Sequence, residues 1–524
     1  MLLGDIVAFS ARKAPDAPAL HYADRTVTFA ELLGRLHRVA NALTGLAAPG
    51  DRIAVLAENR LEYIDLYYGV PAAGMGLAVL NYRLNTRELV KIIDDAGATV
   101  LFTEPEHLER VREVRHELTS VRHVIVMGPT ELASDGLRDD ELTYDDVVGA
   151  AADTAPTAAV DPGSMAWLIY TSGTTGMPKG AMLSHRSLLA AVCNSAIGWD
   201  SSPNEVALFP WPLCHVAGYS ILGSHLKGNP VVLMRAYEPE AFLAHIERFG
   251  VTSTSLAPTM LNMLLDHPAI ERYDTSSIRR LGYGAAAMPA EVLRKAMARF
   301  PDAGFGTGFG MTELSGNVFH LNAEAHRRAL ETGSEVLRSV GRQLPLSCVR
   351  IVDDAMNDVP VGEVGELVVR GDQVLVGYWN RPEATAEAFA GGWFHTGDLG
   401  RWDAEGNAYI VDRKKDMIIT GGENVYSREV EEVLYQHPAV VEAAVIGVPD
   451  VHWGENVVAV IQRRPGHGVT AEEIVAHCRS QLAGYKKPKQ VVFTDDALPR
   501  NAAGKILKRD LRERLAAGTL TPSS

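Results

Sequence analysis

The residues best suited to chemistry begin at Thr171. The run Tyr170-Thr171-Ser172-Gly173-Thr174-Thr175-Gly176-Met177-Pro178-Lys179-Gly180 consists mostly of glycines, hydroxyl side chains and one lysine. Glycines let backbone N–H groups approach phosphate oxygens, hydroxyls add donors and lysine adds charge, so the run suits a polyphosphate. It is not the GxxxxGK[ST] loop, because its lysine stands elsewhere and no helix pattern follows directly. The apolar run Ala166 to Tyr170 places it at the end of a strand, and another ordered apolar stretch, Ala181 to Leu183, follows. A merely flexible Ser/Thr/Gly linker rarely has such flanks.

Read through to His185, the segment YTSGTTGMPKGAMLSH resembles the signature of the acyl-adenylate-forming superfamily: acyl-CoA synthetases, aryl-CoA ligases, luciferases and peptide-synthetase adenylation domains. Further segments resemble that superfamily's motifs in the same order across almost the entire chain. The resemblance implies that Thr171, Ser172, Gly173, Thr174, Thr175, Gly176 and Lys179 cradle the phosphates of ATP. It implies that Gly284, Ala285 and Ala286, with Thr307, Gly308 and Phe309, bound the adenine, Phe309 offering a flat face for stacking. Thr312 would donate to the α-phosphate. Glu313, with Thr175, would hold Mg²⁺, a hard cation that prefers oxygen ligands and substrate phosphates. Asp398, in Trp393-Phe394-His395-Thr396-Gly397-Asp398, and Arg413 would bind the ribose; a carboxylate accepts from two hydroxyls at once.

Asp412 then resembles the family's hinge, and Gly421, Gly422 and Glu423 resemble the loop that lines the pantetheine tunnel of coenzyme A. Lys505, in Leu498-Pro499-Arg500-Asn501-Ala502-Ala503-Gly504-Lys505, resembles the catalytic lysine, a donor to charge that moves in the transition state. Lys508 and Arg509 nearby read as surface charges. His215 matches an aromatic or histidine gate at the acyl pocket, although a lone histidine is more often a structural hydrogen-bonder. Two departures stand out. Thr307 replaces a frequent Gln or Asp, which bears on a hydrogen bond to adenine, and Ser427 replaces a frequent proline.

The elements that must hold these residues are legible in outline. Thr28 to Glu31 is a capping-box pattern before the helical spacing of Leu32, Leu33, Leu36, Val39, Ala40 and Leu43. Ile53 to Leu56 and Thr99 to Phe102 read as strands, Glu88 to Ile93 as helix, and Leu66 to Leu80 as buried helix plus strand. Gly97-Ala98-Thr99-Val100 and Gly250-Val251-Thr252-Ser253 each follow a helix and open a strand, a faint repeat expected of two similar α/β halves. Ser134 to Ser164 reads as a connection between them. Val340 to Ile410 reads as a small antiparallel β unit. Ser427 is placed as a helix cap, and Thr470 with Glu473 as a capping box.

The expected fold is therefore α/β: a large N-terminal body of two similar sheet subdomains plus a small β-barrel, and a mobile α+β C-terminal domain. The expected boundaries are 1–160, 161–335, 336–412 and 413–524. Among 524 residues the net charge is −15, which argues against nucleic acid as partner. Cys193, Cys214, Cys348 and Cys478 lie far apart, so neither a zinc site nor a disulfide framework is indicated, and a reducing cytoplasm fits. No signal peptide or membrane-spanning segment is read, so integral membrane association is not expected.

The resemblance implies ATP, Mg²⁺ and coenzyme A as cofactors and a small-molecule carboxylic acid as substrate. On the same resemblance the acid would be converted to acyl-AMP, and rotation about Asp412 would withdraw Lys505 before thioester formation. Cys214, Ala217, Gly218, Ala285 and Ala286 are small residues placed toward the acyl tunnel, which favours a medium, long or bulky apolar acid. An aromatic acid, an adenylation-only enzyme serving a carrier protein or separate ligase, and a non-catalytic nucleotide binder are the alternatives. The assembly is left open between monomer and homodimer.

Overall fold

The structure, a computed structural model, describes residues 1–129, 136–171, 178–199, 204–286, 288–501 and 504–520. The chain forms two compact units. The first comprises Met1–Val349, Val369–Phe394 and Gly406–Ala408; the second comprises Arg350–Val368, His395–Glu405 and Tyr409–Ser524.

Two large sheets build the first unit. One has nine strands in the order Arg342–Gln343, Gly316–Leu321, Gly304–Met311, Arg280–Tyr283, Ser253–Leu256, Ala207–Phe209, Val231–Leu233, Pro18–Tyr22 and Arg25–Thr28. The other has eight: Gly377–Tyr378, Lys179–Ser184, Met165–Thr171, Gly76–Val79, Arg52–Leu56, Ala98–Thr103, His123–Val126 and Glu141–Thr143. Both are mainly parallel; the nine-stranded sheet turns antiparallel at both ends and the eight-stranded one at one end. Contiguous cuts at 160 and 335 do not separate them. Pro18–Thr28 joins the sheet of the 200s and 300s, while the strands flanking the phosphate loop join that of residues 52–126.

Local chemistry explains the elements. Thr28 and Glu31 cap Phe29–Thr44 reciprocally, as Asn85 and Glu88 cap Thr86–Ala96. The helices Thr86–Ala96 and Pro239–Phe249 both end on a left-handed glycine, Gly97 at φ 58° and Gly250 at φ 59°, where a side chain would be strained. A strand of each sheet follows, so the faint sequence repeat is a real repeat of backbone geometry. Helix Phe29–Thr44 packs against the nine-stranded sheet and against helix Leu61–Ala72, which packs in turn against the eight-stranded one. Leu61–Ala72 is buried around almost its whole circumference, as its mostly apolar sequence requires, and only Glu62 is partly exposed. Part of the stretch read as a connection is ordered here: Glu141–Thr143 is the last strand of its sheet.

The second unit contains most of a four-stranded sheet, Cys348–Val352, Gly365–Arg370, Phe394–Trp402 and Ala408–Arg413, where a small barrel is expected. It also contains a five-stranded sheet with helices Ser427–Leu434, Ala471–Arg479 and Lys508–Ala516. Val430, Leu434, Val445, Val457, Ile461 and Ile474 form its core. Among the described residues no helix is long and apolar enough to cross a membrane.

Candidate active site

In the first unit the run expected to cradle phosphates connects the two strands of an antiparallel pair. Met165–Thr171 enters, Lys179–Ser184 leaves, and Thr171 stands opposite Lys179. Ser172, Gly173, Thr174, Thr175 and Gly176 lie outside the described residues. Gly180 is tightly packed: a Cβ there would come 2.9 Å from Leu168 Cδ1 and 3.2 Å from the Tyr170 ring.

Glu313 sits in the short turn Thr312–Leu314 between the strands Gly304–Met311 and Gly316–Leu321. The turn is braced from behind. Leu375 N–H donates to the Glu313 carbonyl at 2.8 Å, and Gln373 Nε2 donates to the carbonyls of Leu314 at 2.9 Å and Asn317 at 3.1 Å. Gln373 in turn accepts from Asn194 at 2.6 Å. At the front, Thr171 Oγ1 and Tyr378 Oη each donate to Glu313 Oε1 at 3.2 Å. Glu313 Oε2 receives no donor among the described residues. A carboxylate oxygen held in place and left open fits an oxygen-seeking divalent cation. No group of three or more His, Cys, Asp or Glu gathers among the described residues, so such a cation would take most ligands from phosphate and water.

The expected adenine segments lie at neighbouring strand ends. Gly284, Ala285 and Ala286 follow Arg280–Tyr283, which pairs in parallel with Gly304–Met311. Ala285 holds φ 67°, a left-handed conformation that costs a non-glycine residue about 1 kcal/mol or more. Gly308 and Phe309 are half-buried, and the Phe309 ring lies 6.1 Å from that of Phe319. Thr307 is buried, and its hydroxyl donates to the Tyr283 carbonyl at 2.9 Å, tying the two strands together. Thr307 therefore spends its hydroxyl on the protein.

His215 precedes the turn Val216–Gly218 and is half-buried. The neighbouring small residues do not open volume as the sequence suggests. Gly218 is pressed by the Tyr67 hydroxyl, which lies where its Cβ would be, and Cys214 is buried, which pushes its thiol up to about 12. The Tyr67 hydroxyl donates to the Leu213 carbonyl beside them. Aromatic residues that the sequence reading passed over lie on the nine-stranded sheet. Trp199 stacks on His320 at 4.0 Å, Gly282 faces Trp199, and Trp211 donates to Ser255 at 2.8 Å. No motif flags them, because they come from separate segments.

The second unit holds the remaining stations. Asp398, in Phe394–Trp402, is 3% exposed and ion-pairs with Arg413 Nε at 2.8 Å. Two residues expected to share the ribose are thus already paired. Gly421 and Gly422 have φ 62° and 85°, and Glu423 is exposed on the strand that follows. Lys505 is exposed, its backbone N–H donating to Asn501 Oδ1 at 2.9 Å. Ser427 does not cap its helix with its own side chain. Asp412 does so from fifteen residues upstream, accepting from Ser427 N–H at 2.5 Å and Ser427 Oγ at 3.2 Å. Nor is Lys508 a surface charge: it donates to Ser427 Oγ at 2.6 Å and pairs with Glu431 at 2.8 Å. Burial raises the Glu431 carboxyl, and Lys508 opposes that.

Comparison with known proteins decides the lineage. The AMP-binding enzyme family model matches residues 7–379, and the AMP-binding enzyme C-terminal domain model matches residues 429–505. The chain belongs to the AMP-binding enzymes. Within this acyl-adenylate-forming superfamily its class is that of the AMP-forming acyl-CoA synthetases. It is 40% identical over 517 residues to a feruloyl-CoA synthase of Amycolatopsis sp, covering 98% of this chain and 99% of that one. It is 33% identical to a fatty acid–[acyl-carrier-protein] ligase of Streptomyces coeruleorubidus, covering 97% and 95%. Among solved structures it resembles the o-succinylbenzoate CoA synthetase of Bacillus subtilis in complex with its acyl-adenylate intermediate. That match has a TM-score of 0.83 and 31% identity and covers 97% of each chain.

Proposed function

We propose that this AMP-binding enzyme joins ATP to a bulky apolar carboxylic acid, aromatic acids being the first class to test, and passes the acyl group to coenzyme A. The observation that carries the reading is the Glu313 site: a fixed carboxylate with one oxygen that receives no donor among the described residues, joined through Thr171 to the mouth of the phosphate loop. The 40% likeness to a feruloyl-CoA synthase supports the aromatic preference.

A carboxylate is a poor acyl donor because oxide would have to leave. Attack of a carboxylate oxygen on the α-phosphorus forms the mixed anhydride and expels pyrophosphate, and the protein need only position partners and offset charge. Mg²⁺ held by Glu313 and Thr175 would supply charge neutralisation on the phosphates. Thr171 and Lys179 orient the phosphates, Thr312 donates to the α-phosphate, Asp398 and Arg413 hold the ribose, and Lys505 donates to the shared oxygens as charge redistributes. For the ribose to bind, the Asp398–Arg413 pair must open or share its carboxylate. In the second step the coenzyme A thiolate attacks the acyl carbon and AMP leaves, with Gly421, Gly422 and Glu423 lining its approach.

Transfer to a carrier-protein pantetheine is a second reading, favoured by the likeness to a fatty acid–[acyl-carrier-protein] ligase. Acid-dependent pyrophosphate release over a carboxylic acid panel, with and without coenzyme A and with mass detection of products, tests both. Aryl- or acyl-CoA product supports the first reading. Acyl-AMP without thioester supports the second, and no turnover with any acid refutes both.

A further inference from the structure

Lys179 and Glu313 bear opposite charges at one site, yet they do not pair. Tyr378 stands between them. Its hydroxyl donates to Glu313 Oε1 at 3.2 Å, and its ring lies 5.1 Å from Lys179 Nζ. Among the described residues Lys179 pairs with no carboxylate. The tyrosine is itself held firmly. Its N–H donates to Thr385 Oγ1 at 2.9 Å, and its strand pairs with Lys179–Ser184, Tyr378 opposite Ala181. The next residue, Trp379, donates its N–H to the Gly180 carbonyl at 2.8 Å and its indole N–H to the Asp95 carbonyl at 2.9 Å.

We propose that Tyr378 is a positioning residue of the nucleotide site, a spacer that keeps the Glu313 carboxylate and the Lys179 ammonium apart so that the magnesium triphosphate enters between them. Two long side chains of opposite charge near an empty site otherwise collapse into an ion pair, which a ligand must break before it binds. A phenol avoids this by serving each charge separately. The face of its ring attracts the ammonium, and its hydroxyl donates to the carboxylate. Because Tyr378 and Thr171 donate to the same oxygen, they also orient Glu313 with Oε2 free to face a cation. The inference rests on the nucleotide reading of this site and is independent of which acid is used.

The test uses the full-length chain and measures ATP binding by calorimetry without acid, across a Mg²⁺ titration. Tyr378→Phe keeps the ring and removes the hydroxyl. It is expected to raise the half-saturating Mg²⁺ roughly three- to tenfold while ATP affinity at saturating Mg²⁺ stays within about twofold. Tyr378→Leu removes the spacer and is expected to weaken ATP binding roughly tenfold even at saturating Mg²⁺. Lys179→Met is expected to cost less in the Leu background than in the parent, because the lysine is already neutralised there. Melting temperatures near the parent's show that the variants fold. Parent-like Mg²⁺ dependence in the Phe variant, or an equal cost of Lys179→Met in both backgrounds, overturns the proposal. Since the readout is binding, an enzyme that binds magnesium ATP yet turns over no acid sinks the proposed function and leaves this test standing.

Discussion

Glu313 in the first unit and Asp412 in the second are equally buried carboxylates, each 6% exposed. Their surroundings differ. Asp412 accepts on both oxygens, from Arg413 N–H at 2.7 Å, Ser427 Oγ and Ser427 N–H, so its charge is used on both sides within the chain, chiefly in capping a helix. Glu313 accepts two bonds on one oxygen and none on the other among the described residues. Burial of a charge demands compensation. Where the chain itself supplies the compensation on every side, the residue holds structure. Where it supplies it on one side only, a ligand is the natural completion. Donor distribution, not burial, separates the two roles.

That contrast is open to attack. The largest expected effect is at Glu313. Glu313→Gln should lower acid-dependent pyrophosphate release by roughly 10²- to 10³-fold, like loss of other transition-state charge stabilisers, with little change in melting temperature. Wild-type rate in that variant would erase the distinction. Next comes pH. His185 and His225, both in the first unit, are pushed down to about 4 by burial. Their ordinary value is 6.5, so between about 6.5 and 4 the unfolded chain takes up protons that the folded one refuses. Stability should therefore fall as pH drops through that window, by up to roughly 3 kcal/mol for each histidine. Chemical denaturation at pH 7 and 5 measures it, and a flat profile contradicts it. Gly218→Ala should cost about 1–3 kcal/mol through overpacking against Tyr67; unchanged stability would mean that the site is roomier than its contacts indicate. The smallest effect is at Asp412. Asp412→Ala should remove about 1 kcal/mol of helix capping, seen in urea unfolding of the second unit. Losses as catalytically severe as those of Glu313→Gln would show that the two carboxylates differ less in role than in surroundings.

Much of this was legible before any coordinates. The capping pairs Thr28–Glu31 and Thr470–Glu473 form as read, because both partners lie within one turn and need nothing else. Strands bounding the phosphate loop were visible for the same reason. What failed was non-local. Ser427 looks like a cap, yet Asp412 is the residue that acts as one; Lys508 looks like a surface charge, yet Glu431 awaits it across the fold. Tyr378 carries no signal, since its partners Lys179 and Glu313 lie far away in sequence. Small residues at 214 and 218 suggested space, but Tyr67, from another helix, fills it.

The interleaving of the two large sheets bears on how the chain is made. Leu20 pairs with Val231, so the first strand emerges from a ribosome about 200 residues before its parallel partner exists. At ~5–20 residues per second that is a wait of roughly 10–40 s with one edge of the strand unpaired and exposed apolar helices. Such late, distant pairings slow folding and lengthen aggregation-prone exposure. An N-terminal fragment ending near 160 would keep the hairpin with Arg25–Thr28 but lack the parallel partner of its first strand, so the nascent protein is expected to lean on chaperones until its middle third has been synthesised.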